Sequence, residues 1–92
     1  MNAQHSAVAE TVLEAVAEVL EDVPIERLSL DLTLRGDLGF DSIMLMRLKF
    51  MLEQRVPEAG TLVLRDMVDN LVTPRAVADL LYSRLTRVPA VR

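Results

Sequence analysis

Apolar residues recur at helical spacing near the start of the chain, and glutamates occupy the remaining arc. This pattern predicts an amphipathic first helix over residues 7–22, and Pro24 prevents its continuation. The apolar positions are Val8, Val12, Leu13, Val16, Val19 and Leu20, and the acidic positions are Glu10, Glu14, Glu18 and Glu21. We interpret the acidic arc as a solvated outer face, with a second docking face as the alternative.

A long connection follows over residues 23–41, in which leucines alternate with polar residues. The leucines are Leu28, Leu30, Leu32 and Leu34. Alternation is also typical of a strand, but no second strand-like run is available to pair with it. We therefore predict a loop whose leucines pack onto the core. Loops of this length inside a small domain are often functional, which draws attention to where this one ends.

A second helix is predicted over residues 42–56, because this segment is free of Gly and Pro until Pro57. On a helical wheel it carries two separate apolar stripes. The first stripe is Leu45, Leu48 and Leu52, and the second is Ile43, Met46 and Phe50. The first stripe is predicted to lie in the core. The second either packs under the long loop or a third helix, or stays exposed with Met44 as a docking surface. Arg47, Lys49 and Arg55 add positive charge around that surface.

Two further helices are predicted after Pro57 and Gly60. A short third helix fits residues 64–71, and Thr73 as N-cap with Pro74 at the first helical position starts a fourth helix that runs to about residue 86. Residues 87–92 are interpreted as a tail. The chain is therefore predicted to be all-α, a single four-helix domain over residues 1–92 with an ordered core at about 7–86.

Composition and charge restrict the possible chemistry. The 92 residues contain no cysteine, and His5 is the only histidine, so we expect neither a His-based catalytic site nor a metal site. Neither a membrane span nor a secretory signal is visible, and we expect a cytoplasmic protein with no membrane partner. The net charge of −4 argues against nucleic acid as a partner. The charge is uneven, with −7 over residues 1–41 and +3 over residues 42–92.

Ser42 is the residue with the most distinctive setting, since it follows Gly39-Phe40-Asp41 where the second helix begins. A helix N-terminus presents unpaired N–H groups and the positive end of its dipole, which favours an attached phosphodiester. Gly39 allows backbone angles that other residues avoid, so the loop can turn sharply and expose the serine. The alternative is that Ser42 or Asp41 is an ordinary N-cap.

The chain resembles the acyl carrier protein family in the segment Asp37-Leu38-Gly39-Phe40-Asp41-Ser42-Ile43. An acidic helix and a long loop precede this segment, and an apolar helix follows it. The resemblance covers residues 7–86. It implies a four-helix fold and a 4′-phosphopantetheine arm, transferred from coenzyme A, on Ser42. Asp41 would then be a second cap or would orient the metal and cofactor of the modifying enzyme.

The resemblance also implies a carrier rather than an enzyme, with a phosphopantetheinyl transferase, acyl- or aminoacyl-loading enzymes, acyltransferases and ketosynthase or condensation enzymes as partners. The docking residues would be Ile43, Met44, Met46, Arg47 and Phe50. Specificity for the cargo would reside in the partner enzymes or in a groove lined by residues such as Phe40, Met46 and Met67. We expect a freestanding protein, because the chain begins with Met and spans one domain, with a module excised from a larger synthase as the alternative. We also expect a monomer.

The basic second helix departs from fatty-acid-synthesis carriers, whose second helix is acidic. It more closely resembles carriers of polyketide or hybrid polyketide and nonribosomal peptide pathways, and Asp41 before the serine favours the acyl type over the peptidyl type. The alternatives are a fatty-acid or an aminoacyl or peptidyl carrier, and a helical interaction module that receives no arm. A small enzyme is disfavoured, since no acid-base pair or phosphate-binding glycine loop is visible.

Overall fold

The computed structural model describes residues 3–86, and the predicted tail at 87–92 lies outside the described residues. Within this part the chain forms three α-helices, which are α1 (Ala3–Leu20), α2 (Ser42–Arg55) and α3 (Pro74–Leu85). Short 3-10 turns occur at Ile25–Arg27, Pro57–Ala59 and Leu64–Asp66. No strand is present between residues 3 and 86, which confirms the all-α prediction.

Helix α1 begins four residues earlier than predicted. The additional turn contains His5, whose Nε2 is 2.6 Å from Oδ1 of Asp79 on α3. Its ring meets the Tyr82 ring edge-on, with centroids 4.8 Å apart. The helix ends at Leu20 because Glu21 adopts the left-handed conformation, with φ of 68°. The pairing with α3 explains the early start, since it orders a turn that sequence periodicity does not mark.

The core lies between the three helices and contains the Leu45, Leu48 and Leu52 stripe of α2 and the predicted apolar positions of α1 except Leu13. Its largest fully buried side chains include Val12, Val16, Leu34, Leu45, Leu48, Leu52, Leu62, Met67, Val77 and Leu81. Helices α1 and α2 run antiparallel, since Glu18 pairs with Arg55 near the end of α2 while Glu21 lies beside Arg47 near its middle. This arrangement places one long face of α2 outside the core.

The connection between α1 and α2 is a loop pinned to the core, as predicted. Leu34 is fully buried, and Leu28 and Leu30 pack on the core from its edge, whereas Leu32 lies outside it. The loop is also tied to the start of α3, because the backbone N–H of Arg75 donates to the Leu30 carbonyl at 2.9 Å. The Arg75 guanidinium donates two hydrogen bonds to the Asp31 carboxylate.

The predicted α-helix over residues 64–71 is wrong. Only the 3-10 turn Leu64–Asp66 forms, and the chain leaves helical geometry after Met67. Asp69 explains the difference, because its Oδ1 accepts the Leu71 backbone N–H at 2.8 Å and its carbonyl accepts the N–H of Val72. Asp side chains compete in this way with helical hydrogen bonding. The four-helix count is thus replaced by three α-helices in the described part of the chain.

Helix α3 begins as predicted. The Thr73 side chain accepts the backbone N–H of Ala76 at 3.1 Å, and Pro74 occupies the first helical position. Proline is suited to this position because the N–H that it lacks has no intrahelical partner there. The connection before α3 is tied back to the first loop, since the Leu34 N–H donates to the Val72 carbonyl at 2.9 Å. The long loop before α2 is therefore attached both to the start of α3, through Arg75, and to the connection before α3, through Val72.

Candidate functional site at the N-terminus of α2

The last part of the long loop is closed by a reciprocal pair of hydrogen bonds. The Thr33 N–H donates to the Asp37 carboxylate, and the Asp37 N–H donates to the Thr33 hydroxyl, each at 2.9 Å. Each side chain thus satisfies a backbone donor of the other residue, as in a capping box. This closure fixes the turn at residues 34–38 directly before the predicted motif.

Gly39 and Phe40 orient the chain between this turn and α2. Gly39 has φ of 74°, a left-handed conformation that glycine adopts without the steric cost of a side chain. Phe40 is 3% exposed, and its N–H donates to the Leu34 carbonyl at 2.8 Å. A buried anchor immediately before the helix therefore leaves Asp41 and Ser42 at the surface.

Asp41, rather than Ser42, is the N-cap of α2. Its Oδ1 accepts the backbone N–H of Met44 at 2.8 Å, and its carbonyl accepts the N–H of Leu45. Ser42 is the first helical residue and is exposed, and its hydroxyl has no hydrogen-bond partner within residues 3–86. The sequence allows Ser42 to be either an ordinary N-cap or an attachment site. The structure assigns the cap to Asp41, so Ser42 is not needed for capping.

The first turn of α2 is a favourable environment for an anion. In an α-helix the first N–H groups have no intrahelical acceptor, and Asp41 occupies only that of Met44. The N–H groups of Ser42 and Ile43 remain directed out of the helix end. Together with the helix dipole they stabilise negative charge close to the Ser42 hydroxyl.

The other serines of the chain lack this setting. Ser6 lies inside α1, and the Ser83 hydroxyl donates to the Leu80 carbonyl within α3. Ser29 is in the long loop, where its hydroxyl accepts the N–H of Asp31. Among the described serines, Ser42 alone combines exposure, an unengaged hydroxyl and a helix N-terminus.

The second apolar stripe of α2 is exposed, as the docking interpretation requires. Ile43 is 71% exposed, Met46 is 42% exposed and Phe50 is 50% exposed. We call these three residues the α2 apolar face. Met44 does not belong to it, because its side chain packs partly against the core. Phe40 and Met67 are both buried, and their place in a cargo groove stays a prediction.

The positive charges predicted around this face are each paired with a carboxylate of the chain itself. Lys49 Nζ lies 2.9 Å from Glu53 Oε2, Arg55 donates to the Glu18 carboxylate, and an Arg47 nitrogen lies 3.8 Å from Glu21 Oε2. Glu18 and Glu21 are therefore not simply part of a solvated outer face. The predicted positive surface is largely neutralised.

Glu53 has a second contact that the sequence pattern does not reveal. Its Oε2 also accepts the backbone N–H of Leu62 at 2.7 Å, which ties the connection after α2 to this helix. The hydrogen bond from Lys49, and then that from Leu62, holds the pKa of the Glu53 carboxyl below its usual value. Lys49 Nζ in turn lies 4.5 Å from the centroid of the Phe50 ring.

Comparison with protein-family models matches residues 10–81 to the phosphopantetheine attachment site family. The match covers more than half of the chain and includes α2 and the loop before it. The chain belongs to this family, whose members are carriers with a covalently attached 4′-phosphopantetheine. Neither the search of curated proteins nor that of solved structures returned a match to it.

Membership in this family fixes the general role of the protein. Carrier domains of this kind are not catalytic themselves, and they work with a phosphopantetheinyl transferase and with acyl-handling enzymes. None of the helices in the described part of the chain combines the length and apolar character that a membrane crossing requires. Within the same residues, no three His, Cys, Asp or Glu side chains converge to hold a metal ion.

Proposed function

We propose that Ser42 is the residue that carries the 4′-phosphopantetheine arm. One observation carries this proposal. At the start of α2, Asp41 caps the helix, while the hydroxyl of the neighbouring Ser42 is exposed and has no hydrogen-bond partner in the described part of the chain. A hydroxyl that is engaged as a cap has to break a hydrogen bond before it reacts. The Ser42 hydroxyl is free of that cost.

The attachment reaction uses the groups that the first turn of α2 presents. The Ser42 oxygen bonds to the phosphorus that bears the pantetheine of coenzyme A, the hydroxyl proton leaves to a base of the transferase, and adenosine 3′,5′-bisphosphate departs. A phosphodiester then lies at the helix N-terminus, where the N–H groups of Ser42 and Ile43 and the helix dipole stabilise its charge. The space beside Gly39 is open, since apart from its two chain neighbours no residue has an atom within 4 Å of the position that a Cβ would take.

The bound arm supplies a terminal thiol that holds acyl groups as thioesters, a chemistry that this cysteine-free chain does not provide itself. The chain itself determines where the arm is attached, which is at the start of α2 beside the α2 apolar face. Because the arm is tethered, any intermediate on it remains at a high effective concentration near a docked enzyme. Asp41 acts in this account as the cap that keeps the first turn intact.

The α2 apolar face and the edge next to it, Met44 and Arg47, form the proposed docking surface for partner enzymes. The face begins one residue after Ser42, so an enzyme that contacts it is adjacent to the arm. Its large exposed apolar side chains are typical of interaction sites. We further propose that the carrier acts as a monomer in the cytoplasm, and the lack of cysteine in so small a domain supports a reducing compartment.

Among the possible pathways we favour polyketide or hybrid polyketide and nonribosomal peptide biosynthesis, with acyltransferases and ketosynthase or condensation enzymes as partners. An apolar docking surface without an acidic α2 supports this choice over fatty-acid synthesis, and Asp41 before the serine supports an acyl cargo over a peptidyl one. Loading assays with purified acyltransferases and aminoacyl-loading enzymes distinguish an acyl carrier from an aminoacyl or peptidyl carrier. Transfer of malonyl-type units but not of amino acids is the expected result.

The attachment proposal is tested by intact-protein mass spectrometry after incubation with coenzyme A and a broad-specificity phosphopantetheinyl transferase. The wild type is expected to gain one phosphopantetheine, Ser42→Ala none, and the matched loop variant Ser29→Ala one. A wild type that gains nothing while folded would favour an unmodified interaction module. Modification of Ser42→Ala would place the arm elsewhere.

A further inference from the structure

We propose that the α2 apolar face fits a partner groove that is apolar and uncharged, because the chain neutralises the cations around this face with its own carboxylates. This inference rests on the proposed carrier function and specifies the chemistry of the partners. Helix α2 has Arg47, Lys49 and Arg55 as its cations. The carboxylates that pair with them belong to Glu53 on α2, Glu18 on α1 and Glu21 directly after α1. The formal charges of this set cancel.

The pair within α2 is the most firmly held of the three. The side chains of Lys49 and Glu53 are only 15% and 21% exposed, and Glu53 is fixed additionally by the N–H of Leu62. Lys49 therefore has its charge satisfied while its ammonium group lies against the Phe50 ring. A partner that covers Phe50 meets a completed ion pair at this edge rather than a free cation.

The pairs with α1 neutralise the other two cations from outside the helix. Glu21 occupies a left-handed backbone position that costs a non-glycine residue about 1 kcal/mol, and its carboxylate is 3.8 Å from Arg47. Both side chains of this pair are more than half exposed, so the attraction is weak but the local charge is still balanced. Glu18 balances Arg55 in the same manner.

Glu53 also extends the apolar surface beyond α2. The hydrogen bond to Leu62 ties the connection after α2 to Glu53, and the next residue, Val63, is 41% exposed. On the helical wheel Glu53 lies between Ser42 and Met46. The apolar strip offered to a partner begins at Ile43 beside the arm and runs along α2, and Val63 adds an exposed apolar side chain on the connection that Glu53 ties to the helix.

Charge on this strip determines how binding responds to salt. Oppositely charged surfaces attract over about 10 Å, and salt screens that attraction. Contact between apolar, uncharged surfaces derives its free energy from buried area and is little affected by moderate salt. A partner groove with a basic or an acidic rim would meet these three α2 cations already paired with carboxylates of the chain.

The test uses a broad-specificity phosphopantetheinyl transferase as the partner, with its KM for the unmodified carrier measured between roughly 0.02 and 0.5 M NaCl. The wild-type KM is expected to change by less than about threefold, while Phe50→Ser raises it by about tenfold or more without loss of fold. A steeper salt dependence, or an unchanged KM for Phe50→Ser, would overturn the proposal.

A pair of double variants tests the role of the α1 carboxylates. Glu18→Gln/Glu21→Gln uncovers Arg47 and Arg55, and Glu10→Gln/Glu14→Gln makes the same change in net charge on α1 without uncovering an α2 cation. At low salt, the KM of Glu18→Gln/Glu21→Gln should be equal to or higher than that of the control Glu10→Gln/Glu14→Gln. A fall would reveal an acidic partner surface and contradict the proposal. No transfer to the wild type at any salt would refute the carrier function itself, which is a distinguishable outcome.

Discussion

The Oδ1 atom of Asp41 lies 2.8 Å from the backbone nitrogen of Met44, so the N-cap of α2 is the residue before the serine of the motif. This hydrogen bond assigns separate roles to two neighbouring residues with similar capping preferences. Asp41 stabilises the helix start, and the Ser42 hydroxyl is left for chemistry. Different consequences are therefore expected when the two residues are changed.

Asp41→Ala is expected to lower the free energy of unfolding by about 1 kcal/mol, because the Met44 N–H loses its acceptor. Asp41→Asn retains an acceptor and should cost only a small part of this. Ser42→Ala is the control and should change the free energy by less than about 0.5 kcal/mol. Urea denaturation measures all three, and an equal loss for Ser42→Ala and Asp41→Ala would contradict the assignment of the cap.

Gly39→Ala is expected to destabilise the protein by about 1 kcal/mol through backbone strain alone. The φ of 74° disfavours any residue with a Cβ, whereas no neighbouring atom would clash with it. Gly39→Asn should cost less, since asparagine tolerates the left-handed region better. Thermal and urea unfolding provide the comparison, and an alanine variant as stable as the wild type would show that the turn does not require this conformation.

Two substitutions on α2 contrast the core with the exposed face. Leu48 is fully buried, and Leu48→Ala should lower the free energy of unfolding by about 2–5 kcal/mol. Phe50 is half exposed, and Phe50→Ala should cost less than about 1 kcal/mol. Chemical denaturation of the two variants tests this contrast. Similar losses at both positions would mean that Phe50 has a packing role in place of a docking role.

Stability is expected to fall at acidic pH through Glu53. The folded-state pKa of Glu53 is lowered by Lys49 and Leu62, so its contribution is fully present above the ordinary pKa of 4.5 and is lost as the pH falls below that value toward the folded-state pKa. Glu53→Gln should flatten this part of the stability profile measured by urea unfolding at pH 3 to 7. Glu14→Gln is the control and should keep the wild-type slope, and an unchanged slope in Glu53→Gln would exclude this origin.

Local signals were sufficient to predict much of the fold from the sequence. The start of α3 is predicted from Thr73 and Pro74, and the buried stripe of α2 from the helical spacing of its leucines. The structure confirms both predictions. The predicted helix over residues 64–71 failed because Asp69 captures the N–H of Leu71, a competition that periodicity does not detect.

Contacts between distant parts of the chain account for the remaining differences. The early start of α1 depends on His5 meeting Asp79, and the neutral surroundings of α2 depend on Glu18 and Glu21 reaching its arginines. No spacing rule within one helix relates these residues. The candidate serine was identified from its neighbours along the chain, whereas the charge balance beside it required the tertiary structure.

The most direct test of the account is to locate the modification within the protein. After treatment with coenzyme A and a phosphopantetheinyl transferase, trypsin cleaves after Arg35 and Arg47 and releases a peptide in which Ser42 is the only residue with a hydroxyl group. Tandem mass spectrometry of this peptide should show the complete phosphopantetheine on Ser42. An unmodified peptide from a protein that has gained the arm, or a folded protein that gains none, would contradict the assignment of Ser42.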